Sequence, residues 1–346
     1  MKITRFMGAT CVMALATTAF AQDAELLVFD YSGFEMPEYH QDYIAAHGAS
    51  PTFTFFGDED EAFQKLRSGF RADVSHVCAP SVTRWTESGI LEPWDTARIT
   101  AYDDLNASLT GEEIGAGQTY FIPTDFGSTA IAYNPDEVPA ADVASLQVFT
   151  NPAYAGRMTL PDNVDDAFAL AYLATGVTNW QEVTDAQFEA AANWLRAVHP
   201  NLRTYWTDPA ELAQLLSSGE ILVSWAWNET YPTMVEEGRP IAFQREAAEG
   251  SSLWLCGYVK LAEGQGNVDK AYDYLNAFLA ESSVLPLLEA GYGSANAAAL
   301  NALVTEEDLV ASGLEEIDVP ILAQLPTSND DRERMAETFE LIKAGF

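Results

Sequence analysis

The chain has 346 residues, with 52 acidic side chains against 17 basic ones and a formal net charge of −35. A field of that sign excludes nucleic acid and anionic lipid as partners held by general electrostatics. The length suffices for two domains around a large buried core, and no segment after the N-terminus has eighteen uninterrupted apolar residues.

The N-terminus reads as an export signal. Lys2 and Arg5 form a short basic region, Met7 to Thr18 is apolar or small, and Ala19-Phe20-Ala21 fits a small-x-small cleavage site before Gln22. The apolar run is too short to span a bilayer, and Cys11 sits inside it rather than after it, where lipid attachment needs a cysteine. Removing residues 1–21 takes two of the 17 basic residues and none of the 52 acidic ones, leaving a net charge of −37. The expected destination is the periplasm.

Beyond the signal, strand and helix periodicities alternate. Glu25–Asp30 predicts a strand, Pro37–Ala46 a helix, and Thr52–Phe56 a strand. Asp58–Ser68 is a helix with a capping aspartate, acids in its first turn and Gly69 after its end. Val74–Ala79 is the next strand. This βαβαβ opening argues for a parallel sheet covered on both faces, with binding sites beyond the carboxyl ends of its strands. The middle repeats the alternation: strand Met158–Leu160, helices Asp166–Thr175 and Thr184–Val198, strand Leu202–Trp206, helix Pro209–Ser218 and strand Ile221–Ala226. An apolar strand through Trp254, a helix over Val268–Leu279 and an amphipathic helix near Asp330–Ala344 complete the chain. There is no low-complexity linker, so two α/β lobes would exchange chain more than once.

Three tryptophans stand close in sequence, Trp225 and Trp227 in one strand-like segment and Trp254 in the next. Indole faces hold desolvated cations, but strand aromatics also serve as ordinary core. The residues alone leave both readings open. Cys78 and Cys256, the cysteines remaining after export, fit no metal or redox spacing and are either paired or small buried residues. His40, His47, His76 and His199 are scattered, and His76 two residues from Cys78 reads as structural. No dinucleotide, phosphate-loop, zinc-protease or nucleophile-elbow motif occurs, so neither a metal nor a cofactor is expected.

The order of several short motifs resembles the periplasmic solute-binding proteins of polyamine-type (spermidine/putrescine) ABC transporters. The resemblance rests on Phe29-Asp30-Tyr31-Ser-Gly-Phe34-Glu-Met-Pro37, Gln64-Lys65-Leu66-Arg-Ser-Gly69, Ala72-Asp73-Val74 leading to Pro80-Ser81, and Ile122-Pro123-Thr-Asp-Phe126-Gly127-Ser-Thr-Ala-Ile-Ala-Tyr133-Asn134. Asn151-Pro152-Ala-Tyr154-Ala-Gly156, Ser218-Gly219-Glu220, Trp227, Trp254 and Gly291-Tyr292-Gly-Ser-Ala-Asn296 extend it over nearly the whole exported chain. It implies a type II periplasmic-binding fold: two α/β lobes joined by hinge strands, with residues 22–128 and 255–300 in lobe 1 and 129–254 and 301–346 in lobe 2. It further implies a monomer that catalyses nothing, traps a small cationic ligand and delivers it to a cognate inner-membrane ABC permease.

Carried over position by position, the resemblance implies a pocket of Tyr31, Phe34 and Ser81 from lobe 1, and Asn163 and Asp166 from lobe 2. Trp227 and Trp254 wall the cleft, Tyr292 closes it, and Trp225 joins Trp227 if the strand continues. The fold also implies that the strand returning from lobe 2 lies antiparallel beside the third strand, making Cys78 and Cys256 cross-strand neighbours and a disulfide pair. Two departures bear on the ligand. Polyamine binders carry an acid two residues after the Trp254 position, where this chain has Cys256, and a second pocket acid aligns with Asn163. An ammonium buried without acceptors is costly, whereas a quaternary ammonium or sulfonium needs none. The sequence therefore admits a methylated onium ion (a betaine, choline or dimethylsulfoniopropionate) beside a polyamine, unless Asp30, Glu35 or the run Asp58–Glu61 supplies substitute acids. That run reads more simply as a solvated helix start. An enzyme reading also exists, since thiaminase-like proteins of this fold use a pocket cysteine that Cys256 could imitate.

Overall fold

The computed structural model describes residues 22–106 and 117–346; the export signal at 1–21 lies outside the described residues. The first α/β layer comprises β1 (Gln22–Tyr31), α1 (Gln41–His47), β2 (Ser50–Phe56), α2 (Glu59–Arg67), β3 (Val74–Cys78), α3 (Val82–Glu87) and β4 (Leu91–Glu92). The long strand β5 (Phe121–Tyr133) leads into β6 (Met158–Pro161), α4 (Val164–Ala174), α5 (Asp185–Val198), β7 (Leu202–Trp206), α6 (Pro209–Ser217), β8 (Val223–Trp227), α7 (Thr230–Glu236) and β9 (Ala242–Gln244). The second long strand, β10 (Ser251–Leu261), precedes α8 (Val268–Phe278), α9 (Glu281–Glu289), β11 (Gly293–Ser294), α10 (Ala297–Leu303), α11 (Glu306–Ser312), β12 (Ile321–Ala323) and α12 (Asn329–Lys343).

Local chemistry explains most of these boundaries. Asp58 caps α2 by accepting the Glu61 amide, Asn163 caps α4 through the Asp166 amide, and Asp208 caps α6 through the Glu211 amide. Thr184 and Gln187 close a reciprocal capping box on α5. The predicted helix over Pro37–Ala46 is split into a 3-10 turn (Pro37–His40) and α1, and α9 carries Pro286 inside it, which hid it from a periodicity reading.

The strands form one sheet in the order β2-β1-β3-β10-β5-β8-β6-β7. β1, β2 and β3 run parallel, as do β6, β7 and β8, while β10 and β5 pair antiparallel with each other and with their flanking strands. Separate hydrophobic cores lie toward the two ends. The first gathers Leu26, Val28, Phe29, Val77, Trp85, Phe121, Ile122, Leu255, Tyr258 and Phe278. The second gathers Ile131, Met158, Leu160, Phe168, Leu195, Val223, Trp225 and, from α12, Met335 and Phe339. β5 contributes to both, so the sheet crosses the junction through continuous backbone hydrogen bonding.

Cys256 lies opposite Cys78 in the β10–β3 register, and the two form a disulfide. The predicted pairing is present, at the carboxyl end of β3, beside the junction.

Candidate functional site

The carboxyl ends of β1 and β3, the crossing strands, and the segments following β8 and α9 meet at the junction. Tyr31 and Phe34 come from the end of β1 and its turn. Phe34 stacks on Tyr292 with ring centroids 5.0 Å apart, and Tyr292 meets Trp254 edge to face at 5.9 Å. Tyr31 lies 6.4 Å from Phe34. The four aromatics thus form one connected wall. Trp254 lies flat against β5 because position 127, opposite it, is glycine; a Cβ there would overlap the indole and the Asn228 amide. The Trp254 Nε1 is buried without a hydrogen-bond partner among the described residues.

Ser81 is buried at the turn after β3, and Glu59, the first residue of α2, connects it to Tyr31. The Glu59 carboxylate accepts from the Tyr31 hydroxyl at 3.1 Å, from the Ser81 hydroxyl and from the Cys78 amide. Burial raises the Glu59 pKa, while the nearby Arg332 charge and the Ser81 and Cys78 donors pull it back. The acidic start of α2 is therefore not wholly a solvated face. Asp58 caps and Glu61 pairs with Lys65 at 2.7 Å, but Glu59 is half-buried and turned inward. Glu35 accepts the Gly33 amide at 2.6 Å and closes the turn.

On the opposite side, Asp166 is buried in the first turn of α4. Its Oδ2 accepts from Trp227 Nε1 at 2.7 Å, and its Oδ1 from Thr129 at 3.0 Å and Gln324 at 2.8 Å. Burial pushes its pKa up to about 6 against the lowering effect of these three donors. Asn163 uses its side chain to cap α4, accepting the Asp166 amide at 3.0 Å. Trp227 is half-buried and meets Trp206 edge to face at 4.6 Å.

Trp225 departs from its expected place. It belongs to the same strand as Trp227 and pairs with Ile131 of β5, but it is fully buried in the second core. β8 runs out of that core toward the junction, so a residue two positions earlier packs beneath the wall instead of lining it.

Three features were not found in the sequence. Gln324, after β12, reaches Asp166. Asp30, His76 and Asp125 form a buried ion triad: His76 Nδ1 lies 2.9 Å from Asp30 and Nε2 lies 3.0 Å from Asp125. His76 stacks on Tyr258 at 4.7 Å, whose hydroxyl donates to Asp30 at 2.7 Å. Burial opposes protonation of His76, but Asp125 and Asp30 outweigh it and push the pKa up to about 10. Glu229, immediately before α7, is the third. It is half-buried, its side chain has no hydrogen bond to a described residue, and burial with the charges of Asp125 and Asp166 pushes its pKa up to about 8.

The family model of the bacterial extracellular solute-binding proteins matches residues 38–311. The chain belongs to this family. It is 24% identical over 312 residues to the spermidine/putrescine-binding periplasmic protein of Escherichia coli, covering 88% of each chain. The fold matches a spermidine/putrescine ABC transporter substrate-binding protein from Streptococcus pneumoniae (TM-score 0.74, 16% identity, 93% of this chain and 99% of that one). It also matches a periplasmic binding protein from A. tumefaciens in complex with glucopine (TM-score 0.71, 17% identity, 92% of this chain and 99% of that one). The architecture is the type II periplasmic-binding fold. These relatives are solute-binding components of transporters, not enzymes. In this solute-binding protein the disulfide leaves Cys256 no thiolate to act as a nucleophile.

Proposed function

We propose that this protein is the periplasmic solute-binding component of an ABC transporter for a polyamine, which it delivers to a cognate inner-membrane permease as a monomer. The lobes divide as residues 22–128 with 255–300 and 129–254 with 301–346, a division supported by the membership of the two hydrophobic cores. Tyr31, Phe34, Trp227, Trp254 and Tyr292 wall the solute, and Ser81 and Asn163 hold Glu59 and the start of α4 in place.

The observation that carries this reading is Glu59. A chain that lacks acids at positions 163 and 256 invites a ligand without N–H groups, yet Glu59 turns a carboxylate inward beside Tyr31 and Ser81. With Asp166 behind Trp227, carboxylates stand on both sides of the junction. Primary ammonium groups need acceptors when desolvated, and these carboxylates supply them.

Thermal-shift titration of the exported form with spermidine, putrescine, choline, glycine betaine and dimethylsulfoniopropionate tests the reading. Stabilisation by spermidine or putrescine alone is expected, because a ligand bound only to the folded state raises its stability by mass action. Stabilisation by a methylated onium compound alone would overturn the polyamine reading.

A further inference from the structure

The resemblance implies an acid where this chain has Cys256, and the structure offers a carboxylate one strand away. Asp125 of β5 lies directly opposite Cys256 of β10 in the antiparallel register, so both side chains leave the same face of the sheet. Asp125 is fully buried. Its Oδ1 meets His76 at 3.0 Å and accepts from Thr124 at 2.7 Å, while its Oδ2 is buried with no hydrogen-bond partner among the described residues. A buried carboxylate oxygen without a donor is costly, so a proton-bearing group brought against it would be held.

Glu229 lies near enough for the charge of Asp125 to act on it, and its backbone is fixed. Asn228 donates to the carbonyls of Gly291 at 2.5 Å and Ser312 at 2.9 Å and accepts the Ser128 amide at 2.9 Å. Gly291, with φ +93°, leaves room for the Cα and Cβ of Glu229, where any side chain would collide with them. This brings Glu229 next to Tyr292, the residue stacked on Phe34 and set edge-on to Trp254. The charged and titratable groups around Glu229 are Asp125 from β5, Asp166 from α4, and the phenols of Tyr39 and Tyr292, both of which feel its charge. His76, the one cation bonded to this set, is shared between Asp30 and Asp125. No lysine or arginine pairs with Asp125, Asp166 or Glu229 among the described residues.

We infer that Asp125 and Glu229 together form an ammonium-receiving pole beside Tyr292, taking over the work of the acid absent at position 256. With Glu59 and Asp166 as the other acids of the site, the solute is a diamine or longer polyamine whose one amino end lodges at this pole. The inference rests on the polyamine reading above and names the residues that give it a second charged end.

Calorimetric titration with putrescine, in wild type and Glu229→Gln, tests it. Burial with the charges of Asp125 and Asp166 pushes the Glu229 pKa up to about 8, and an ammonium beside it favours the carboxylate, so binding is expected to release a proton and to strengthen from pH 6 to pH 8. Wild type is expected to release close to one proton per putrescine at pH 7, read from the heats in buffers of different ionisation enthalpy. Glu229→Gln, with an unchanged thermal midpoint, is expected to bind putrescine at least about 10-fold more weakly and to lose that release. Wild-type binding without proton release and with no pH dependence between 6 and 8 would overturn the pole whatever the variant does. Equal putrescine affinity in a folded Glu229→Gln would do the same, leaving the polyamine reading intact. Failure of wild type to bind putrescine or spermidine would instead overturn that reading, and the pole with it.

Discussion

The two sides of the junction treat a buried acid in opposite ways. Asp166 is filled by protein donors: Trp227 on one oxygen, Thr129 and Gln324 on the other. Asp125 keeps one buried oxygen without a hydrogen-bond partner among the described residues. A carboxylate whose acceptors are occupied is chiefly a fixture, and here it fixes the edge of the Trp227 indole. A buried carboxylate with free lone pairs can receive a donor. The sides also differ in what surrounds the acids. Asp125 leans on His76, which Asp30 and the Tyr258 ring hold in turn, so the receptor is built on a preset charge network rather than on neutral donors.

The largest expected effect comes from removing the centre of that network. His76→Leu leaves Asp30 and Asp125 buried without their shared cation and should cost about 3–5 kcal/mol of stability, measured by urea unfolding. The same network gives a pH signature. Because the folded-state pKa of His76 is raised to about 10, its contribution is fully present below about 6.5 and is lost as pH rises through 10. The slope from this group is at most about 1.4 kcal/mol per pH unit, and it should vanish in the variant. A loss below about 1 kcal/mol would show the two sides to be less different than their geometry.

Beside the triad, the Cys78–Cys256 disulfide ties β3 to β10 across 178 residues of sequence. Replacing both cysteines with alanine should cost about 2–4 kcal/mol, chiefly by freeing the unfolded chain. An unchanged midpoint in the double variant would mean that β3–β10 pairing needs no staple. Trp254→Ala sharpens the ligand side. Loss of one desolvated cation–π face, worth about 2 kcal/mol, should weaken polyamine binding roughly 30-fold. Unchanged affinity in the folded variant would remove Trp254 from the wall.

The sequence carried the wall better than the charges behind it. Tyr31, Phe34, Trp254 and Tyr292 sit in the short motifs that carry the resemblance, and their rings lie against one another. The strands and helices of the first half were legible because caps and periodicity agree locally, as at Asp58 and Gly69. The triad was not legible, since Asp30, His76 and Asp125 come from three strands brought together by a non-sequential order, β1-β3-β10-β5. Only the turn geometry separates Glu59, which faces inward, from its neighbours Asp58 and Asp60 on the same exposed helix start. Trp225 failed for a related reason: alternation fixes the face of a strand but not the depth at which the core gives way to the cleft.

Asp60 gives the smallest and most specific test, because it joins the two sides. Arg332 of α12, packed with the second core, reaches Asp60 of α2 at 3.3 Å and Asp165 of α4 at 3.2 Å. Arg84 of α3 bonds the same Asp60 from within the first half. Asp60 is exposed, so breaking its pair with Arg332 should cost no more than about 1 kcal/mol and should matter less as salt rises. That cost falls only on the arrangement in which the halves touch, so Asp60→Asn should speed ligand dissociation a few-fold while leaving the urea midpoint nearly unchanged. Arg84→Gln removes a partner of Asp60 without cutting the cross-junction contact and should leave dissociation near wild type. If both variants dissociate alike, the Arg332 bridge is a surface decoration, and closure rests on the aromatic wall and the acids alone.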